Sequence, residues 1–186
     1  ARDWSSDVCS SDLKRFNDNI RKKLDIFTIL GGPATLDHSL IEDSGIDAIC
    51  VGEGDDAIVE VLEELEKGKE LDGIPNILTS NLGEKKLTLR SRVTDLDNLP
   101  FMDREFVYSY PEMARLGIKG ICTNRGCAFR CLYGFNNRFN DMYTGTGGKV
   151  VRRRSVSSVI EETIELRNNY RVDVVRIQDD IFVYKV

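Results

Sequence analysis

The sequence predicts an α/β protein, with part of a doubly wound sheet in its first half and the start of a parallel barrel in its second. In residues 14–68, a short apolar strand, a glycine turn and a helix follow one another twice, which is typical of a doubly wound sheet. In residues 117–186, a strand, a long loop, a helix and a second strand form a βαβ pattern, which implies parallel strands.

The overall composition is that of a globular protein. The 186 residues are 41% hydrophobic and 31% charged, with a formal net charge of -5. The acidic balance argues against a general nucleic-acid binder, and no apolar run approaches the roughly 20 residues that a membrane span requires. Five cysteines at irregular spacing argue against a disulfide scaffold, so we expect free or metal-bound thiols in a reducing, cytoplasmic setting.

Residues 1–13 (ARDWSSDVCSSDL) differ from the rest, because they are polar, serine-rich and without periodicity. They resemble the in-frame translation of a sequencing adapter, and the alternative is an ordinary disordered N-terminus. Either interpretation excludes them from fold reasoning and removes Cys9 from the candidate ligands. Since the sequence also stops directly after a predicted strand, we expect a fragment cut at both ends.

Residues 14–68 contain the two strand–turn–helix units. The predicted strands cover residues 24–30 and 46–51, and helices are predicted over residues 36–44 and from Asp55 to Gly68, with Gly45 ending the first. Ligands of doubly wound sheets bind beyond the carboxyl ends of the strands, where both glycine turns fall. The alternative is that the glycines only make tight turns. The candidate ligand contacts are Gly31, Gly32, Gly52 and Gly54.

Residues 69–116 are predicted to be a connector. Residues 74–79 and 86–90 flank Asn81-Leu82-Gly83, a pattern that suggests a β-hairpin. Residues 93–104 carry acids, Pro100 and few periodic apolar positions, as an interdomain linker does.

Residues 117–186 contain the cysteine loop. A strand over residues 118–123 leads into Cys127-x-x-x-Cys131-x-x-Gly134. A helix follows over residues 155–170, with Ser155 or Ser157 as N-cap, and then a strand over residues 172–177. The apolar positions of the helix, largely on one face, are Val156, Val159, Ile160, Ile164 and Leu166. Barrels of this type place their chemistry on the loops after strands, where both the cysteines and Asp179-Asp180 fall.

The cysteine loop lies in a basic part of the chain. Residues 125–154 hold seven basic residues and one acid. The run is either a solvated face or an anion-binding rim, and the sequence leaves both interpretations open.

Several segments together resemble one family. TNRGCAFRCLYGFNN (residues 123–137), VRRRSVSSVIEETIELRNNY (151–170) and VVRIQDDIF (174–182) resemble the opening of radical S-adenosylmethionine (SAM) enzymes. ILGGPAT (29–35) and DAICVGEGDDAIVEVLEEL (47–65) resemble the end of a cobalamin (B12)-binding domain, and DLDNLPFMDR (95–104) resembles the connector between these two domains. The similarity covers nearly everything after residue 13.

The resemblance implies a partial Rossmann-like cobalamin-binding domain over residues 14–68, a connector over 69–116 and the first βαβ unit of a radical SAM barrel over 117–186. In this family, three cysteines of a Cys-x3-Cys-x2-Cys loop hold a [4Fe-4S] cluster that cleaves SAM reductively. Carried over by position, Cys127 and Cys131 are the first two cluster ligands, and Tyr133 lies beside the adenine. Gln178, Asp179 and Asp180 line the SAM site. The four glycines named above contact cobalamin.

Gly134 departs from the family pattern, because it stands where the third cysteine is expected. Three explanations remain open. They are a single-base sequence error, a degenerate barrel without a cluster, and rescue by another ligand, for which Cys122 is the nearest candidate.

Two functions follow from these alternatives. The first is a fragment of a cobalamin-dependent radical SAM enzyme, plausibly one that transfers a methyl group to carbon, with an external electron donor and an unidentified small-molecule or lipid-like substrate. The second is a non-catalytic module that binds cobalamin or another small ligand. A zinc or redox protein is disfavoured, since no partner cysteine pair follows downstream.

Overall fold

The structure, a computed structural model, describes residues 7–39, 41–42, 45–80 and 87–183. The chain forms two compact units, of which the first comprises Ala1–Arg92 and Arg138–Gly147, and the second comprises Val93–Asn137 and Gly148–Val186. The segment that follows the cysteine loop therefore belongs to the first unit. Of the predicted connector, residues 69–92 belong to the first unit and residues 93–116 to the second.

The first unit is built on a three-stranded sheet. Its elements are helix α1 (Asp7–Arg21), strand β1 (Ile29–Leu30), a 3-10 helix (Pro33–Leu36), strand β2 (Ala48–Cys50), helix α2 (Asp55–Glu66) and strand β3 (Ile77–Thr79). The strand order is β1-β2-β3, with β1 parallel to β2 and β3 antiparallel to β2. The predicted strand–turn–helix order is thus observed, with shorter strands than expected. The helix predicted over residues 36–44 falls partly outside the described residues.

Strand β2 is buried on both faces, as is typical of the interior of a doubly wound sheet. Ala48 and Cys50 pack on one face with residues of α2, including Val61. Ile49 and Val51 pack on the opposite face. This alternation follows from the two-residue period of a strand.

Helix α1 begins at Asp7 and so includes residues 7–13, for which the sequence predicted disorder. Once a helix has formed, each further residue adds a hydrogen bond at little cost. The following part of α1 is held to the sheet, because Asn17 Nδ2 donates to the carbonyl of Gly45 at 2.8 Å and Arg21 pairs with Asp47. The helix is therefore anchored through Asn17 and Arg21, and residues 7–13 extend it at its N-terminal end.

Asp47 is the polar anchor of the first unit. Its Oδ2 accepts hydrogen bonds from the Thr28 backbone N at 2.7 Å and from Thr28 Oγ1 at 2.9 Å, in addition to the Arg21 ion pair. Partial burial by itself raises the pKa of Asp47, but the hydrogen bonds from Arg21 and Thr28 outweigh it and leave the pKa below its ordinary value.

The hairpin predicted within residues 74–90 is not observed in the described residues. Its first arm becomes β3 and pairs with β2, whereas residues 87–90 form no strand, and Asn81-Leu82-Gly83 lies outside the described residues. Asn76 explains the difference, because its φ of 71° breaks the extended backbone. The backbone of the second arm is hydrogen-bonded to Asn76, through the Thr88 carbonyl and the Arg90 backbone N, each at 2.8 Å.

The second unit is built around a parallel strand pair. Its elements are a 3-10 helix (Leu96–Asn98), helices α3 (Glu105–Tyr108) and α4 (Pro111–Arg115), strands β4 (Ile118–Ile121), β5 (Asn124–Arg125) and β6 (Arg152–Arg153), helix α6 (Val156–Asn169) and strand β7 (Val174–Ile177). Helix α5 (Asn136–Met142) follows the cysteine loop. β4 pairs with β7 in parallel and β5 pairs with β6 antiparallel. The predicted βαβ pattern of strand, helix and parallel strand is confirmed.

Helix α6 has the predicted extent but a different buried face. Ser155 is the N-cap, and its side chain accepts a hydrogen bond from the Ser158 backbone N. The buried positions are Ser158, Glu162 and Leu166, of which only Leu166 was predicted, while Val156, Ile160 and Ile164 are exposed. Glu162 is buried because its carboxylate pairs with two arginines, as described below. Among the described residues, no helix is both long and apolar enough to cross a membrane.

Candidate functional site

The candidate site of the second unit lies at the carboxyl ends of β4 and β7. The two strands are in register from Ile118 opposite Val174 to Ile121 opposite Ile177, and the Gln178 backbone N continues the ladder by donating to the Ile121 carbonyl at 2.8 Å. Because parallel strands end on the same edge, the loop after β4 and the turn after β7 are neighbours. The cysteine loop is the first of these.

Gly126 fixes the backbone immediately before Cys127. Its φ is +93°, and a Cβ at this position would lie 2.0 Å from the carbonyl oxygen of Val150. Only glycine meets both conditions. Cys127 that follows is buried, with 9% of its surface exposed, whereas Cys131 is exposed.

Position 134 has room for a side chain. A Cβ built on Gly134 would meet the Cβ of Cys131 at 3.7 Å and the carbonyl oxygen of Cys131 at 3.9 Å, both ordinary contacts, and its backbone is not left-handed. A cysteine therefore fits here without strain, next to one of the two cysteines of the loop. Glycine at this position is not required by the fold of the loop.

Cys122 is poorly suited to replace the missing ligand. Its Sγ lies 3.9 Å from the Gln178 carbonyl oxygen. Desolvation around the sulfur raises the pKa of Cys122, and the negative charges of Asp179 and Glu162 raise it further. Iron is held by the thiolate rather than by the thiol, so this environment disfavours ligation.

The donor set of the chain as written is incomplete for an iron–sulfur cluster. A cubane of this kind is held by cysteine thiolates, and the loop offers Cys127 and Cys131. Within the described part of the chain, no group of three or more His, Cys, Asp and Glu side chains is arranged to hold a metal ion. The structure thus accommodates a third cysteine at position 134 but does not supply one.

Tyr133, predicted to lie beside an adenine, is almost fully exposed, as is its neighbour Leu132. Neither side chain is packed into the second unit, although both are large and apolar. Fully exposed apolar side chains next to a candidate ligand loop are available to contact a bound molecule.

The three residues predicted after β7 have different environments. The Gln178 side chain lies over Gly120, where a Cβ would come within 2.3 Å of Gln178 Oε1. The carboxylate of Asp179 is half-buried and accepts hydrogen bonds from Thr123 and Asn124. Asp180 is exposed, and its Oδ2 lies 3.4 Å from the amide nitrogen of Asn136. The Asp179 carboxylate is therefore already hydrogen-bonded within the chain, whereas the side chains of Gln178 and Asp180 are exposed.

The basic run of residues 125–154 is not one continuous surface. Arg152 is buried and donates to the Val93 carbonyl at 2.8 Å. Arg154 pairs with the buried carboxylate of Glu162 and lies over the ring of Phe101. At least two of the seven basic side chains thus serve the interior of the second unit rather than a solvated face or an anion rim.

In the first unit, the glycine turn after β1 is open. Gly32 has a φ of +87°, and a Cβ on either Gly31 or Gly32 would meet no atom within 4 Å. A cavity of about 660 Å³ lies beside this turn, and it is lined by Asp12, Leu13, Arg15, Phe16, Asn19, Leu30 and Ala34. Both its volume and its apolar lining are in the range of small-molecule sites. Five of its seven lining residues belong to helix α1.

The second glycine turn is filled by a residue that the sequence did not single out. Tyr143, from the segment after the cysteine loop, is buried, and its Oη accepts a hydrogen bond from the Glu53 backbone N at 2.8 Å. A Cβ on Gly52 would lie 2.3 Å from this oxygen, and a Cβ on Gly54 would lie 3.1 Å from the sulfur of Cys50. Burial raises the pKa of Tyr143. Gly52 therefore makes room for a tyrosine of the same chain.

Comparison with known proteins adds the following. No protein-family model matches the chain. The chain is 28% identical over 179 residues to an uncharacterized methyltransferase of Pyrococcus horikoshii, an alignment that covers 91% of this chain and 35% of the relative. It is 26% identical over 172 residues to a cytidylyl-2-hydroxyethylphosphonate methyltransferase of Streptomyces wedmorensis, covering 75% of this chain and 31% of the relative. Both of these curated relatives are methyltransferases. The chain spans about a third of their length.

Solved structures with a similar fold include two of TsrM from Kitasatospora setae, a radical S-adenosylmethionine methyltransferase. The structure with cobalamin and a [4Fe-4S] cluster bound has a TM-score of 0.66 at 19% identity, covering 93% of this chain and 34% of that one. The structure with tryptophan and a SAM analogue bound has a TM-score of 0.63 at 20% identity, covering 92% and 33%. The predicted α/β fold is thereby confirmed.

Proposed function

We propose that this chain is part of a cobalamin-dependent radical SAM methyltransferase. The proposal is supported by the methyltransferase relatives and by the family resemblance of the cysteine loop. The substrate, the external electron donor and the methylated atom belong to the whole enzyme, of which this chain corresponds to about a third of the length of its relatives.

The observation that carries the proposal is the construction of the loop after β4. Gly126 sets the backbone before Cys127, and position 134 accepts a Cβ at 3.7 Å from that of Cys131. A Cys-x3-Cys-x2-Cys motif would therefore fit this loop without a steric clash, although the sequence as written ends the motif in glycine. With a cysteine at position 134, the loop offers the three thiolates that a [4Fe-4S] cluster with one open iron requires.

Five of the remaining predicted residues have a role in this proposal. Tyr133 stacks against the adenine of SAM, and Gln178 and Asp180 offer polar groups to the same ligand. Gly31 and Gly32 leave the crevice beyond β1 open for cobalamin. When bound, the cluster and the two cofactors supply electron transfer and methyl-group chemistry, while the residues of the chain bind and orient them.

Anaerobic reconstitution with iron and sulfide tests the proposal. We compare the chain as written with Gly134→Cys, and use Gly134→Ser as the matched control, since serine adds a Cβ and a polar atom without a thiolate. We expect a brown chromophore near about 400 nm and about four irons per chain in the cysteine variant alone. If Gly134→Cys gives the same spectrum and iron content as Gly134→Ser, the cluster proposal is wrong.

A second candidate function is a ligand-binding module without a cluster. The observation that favours it is the open crevice beyond β1 in a chain whose third cluster ligand is absent. Titration of the chain as written with hydroxocobalamin, followed by its visible spectrum and co-elution on gel filtration, tests for binding. Gly31→Val is the test variant, because a Cβ at Gly31 would meet no protein atom within 4 Å, so the substitution leaves the turn intact and a loss of binding reports contact of Gly31 with the ligand. Binding that is lost in Gly31→Val, together with a Gly134→Cys variant that gains no cluster, favours this candidate.

A further inference from the structure

The carboxylate of Asp179 is the most highly connected acceptor beside the cysteine loop. Its Oδ1 accepts from the backbone N of Thr123 at 2.6 Å and of Asn124 at 3.2 Å. Its Oδ2 accepts from the hydroxyl of Thr123 and from Nδ2 of Asn124 at 2.9 Å. An ionised carboxylate has about four lone-pair sites, so all of them are used. Asp179 has no acceptor left for a ligand.

The groups that Asp179 holds are the first residues after β4, and they lead directly into Cys127. Asn124 also donates to the carbonyl of Ile181 at 2.8 Å, so the start of the loop is tied to the turn after β7 at two points. The Asn124 side chain is 5% exposed, and both acceptors of its Nδ2 lack protons, which fixes the orientation of the amide. The contact is therefore specific in direction as well as in distance.

We propose that Asp179 is a positioning residue that fixes the beginning of the cysteine loop and thereby the burial of Cys127. This inference rests on the proposed function for its biological meaning, since it assigns Asp179 to the cluster loop rather than to SAM. The physical reason is that charge-assisted hydrogen bonds to backbone N–H groups are about twice as strong as neutral ones. Replacing the carboxylate leaves partly buried donors without an acceptor, which is the costly direction of such a change.

Asp180 is a matched comparison within the same turn. It is exposed and makes one long contact, at 3.4 Å, to Asn136 on the other side of the loop. A solvated carboxylate with one weak contact contributes little. Asp180→Asn therefore changes charge at the neighbouring position without removing the hydrogen bonds that hold Thr123 and Asn124.

Cysteine alkylation measures the effect, and the sequence places each relevant thiol on its own tryptic peptide. Cleavage after Lys119, Arg125, Arg130 and Arg138 separates Cys122 (peptide 120–125), Cys127 (126–130) and Cys131 (131–138). In the metal-free chain, Cys127 is buried and reacts when the loop opens, whereas Cys131 is exposed and reports the intrinsic reagent rate. Pulsed iodoacetamide labelling followed by mass spectrometry gives the three rates in one experiment.

We expect Asp179→Asn to raise the Cys127 rate by about tenfold relative to Cys131, and Asp180→Asn to leave this ratio within about twofold. Amide hydrogen exchange over helix α6 should remain unchanged in both variants. An unchanged Cys127 ratio in Asp179→Asn overturns the proposal. So does a parallel rise in α6 exchange, because Asp179 then supports the whole unit rather than the loop.

Two additions make the test robust. Thr123→Val removes one of the four donors and should raise the Cys127 ratio in the same direction but less, about threefold, which provides a milder variant if Asp179→Asn does not fold. In the Gly134→Cys background, Asp179→Asn should lower the iron bound per chain, whereas Asp180→Asn should not. If Gly134→Cys itself binds no iron, the cluster proposal fails, while the alkylation result still decides the role of Asp179.

Discussion

Replacing Glu162 by Gln tests the buried charges behind strand β4. Glu162 is 3% exposed, and its carboxylate accepts from Nη2 of Arg104 at 2.5 Å and from Nη1 of Arg154. The two guanidinium groups also donate to carbonyls at the end of β4 and directly after it, Arg104 to Gly120 and Arg154 to Cys122, each at 3.0 Å. The Glu162 carboxylate thus positions the two arginines that are hydrogen-bonded to the backbone just before the cysteine loop.

The expected cost follows from this geometry. Among the contacts described above, the Glu162 carboxylate is the only negative charge that touches the largely buried guanidinium groups of Arg104 and Arg154, and Glu162→Gln removes this charge. Breaking a buried ion pair by neutralising one partner costs about 3–5 kcal/mol. Each guanidinium keeps a backbone carbonyl and glutamine keeps one acceptor oxygen, so we expect the lower end, about 3 kcal/mol. That is a large share of the roughly 5–15 kcal/mol that stabilises a typical domain.

The measurement is urea unfolding, with hydrogen exchange to assign the loss to one unit. Glu161→Gln is the matched control, because Glu161 is the exposed neighbour on the same helix. Amides of β4 and α6 should lose protection in Glu162→Gln, while those of β2 in the first unit keep it. If Glu162→Gln unfolds within about 0.5 kcal/mol of Glu161→Gln, the buried ion pairs do not stabilise this unit and the reasoning is refuted.

Two predictions concern the first unit. Burial raises the pKa of Asp47, but the hydrogen bonds that its carboxylate accepts lower the pKa by more. The ionised carboxylate therefore stabilises the fold fully above the unfolded pKa of about 3.8, and this stabilisation is lost as pH falls through the folded pKa. Asp47→Asn should therefore lower the urea midpoint at pH 6, and the difference from the parent chain should shrink below pH 4; a pH-independent difference contradicts this. Gly52→Ala should destabilise the unit by about 1–2 kcal/mol from its positive φ alone, and further by its clash with the Tyr143 hydroxyl. In a Tyr143→Ala background, thermal unfolding should show that Gly52→Ala loses less stability, because the clash with the Tyr143 hydroxyl is gone and the backbone strain remains. If Gly52→Ala then loses no stability at all, backbone strain at this position is absent.

The sequence predicted elements well where one local signal decided them. The helix that begins at Asp55 and the N-cap at Ser155 are both found, because helical spacing and capping are local properties of the chain. The βαβ pattern of the second half predicted the parallel pairing of β4 with β7 for a similar reason. The cysteine loop was also located correctly after β4, since its position depends only on the order of elements.

Long-range pairing was not predictable in the same way. Nothing in the residues around Tyr143 indicates that its hydroxyl fills the turn at Gly52, because the two positions are far apart in sequence. The buried face of α6 was missed because periodicity counts apolar residues, and here Glu162 is buried by two arginines instead. Asp179 was grouped with Asp180 because both follow the second strand and by family resemblance, whereas the structure shows Asp179 hydrogen-bonded within the chain and Asp180 exposed.

These contacts indicate that the residues that hold the cysteine loop in place differ from the residues that are free to contact a ligand. The exposed Leu132 and Tyr133 contribute little to holding the loop, so its position depends on polar contacts at its beginning, through Asp179 and Arg154. Hydrogen bonds and ion pairs fix direction more tightly than apolar packing does, whereas exposed side chains remain free to adapt to a ligand. Substitutions at the tip of the loop should therefore alter ligand binding with little loss of stability. Substitutions at Asp179 should displace the cysteines even where the unit stays folded.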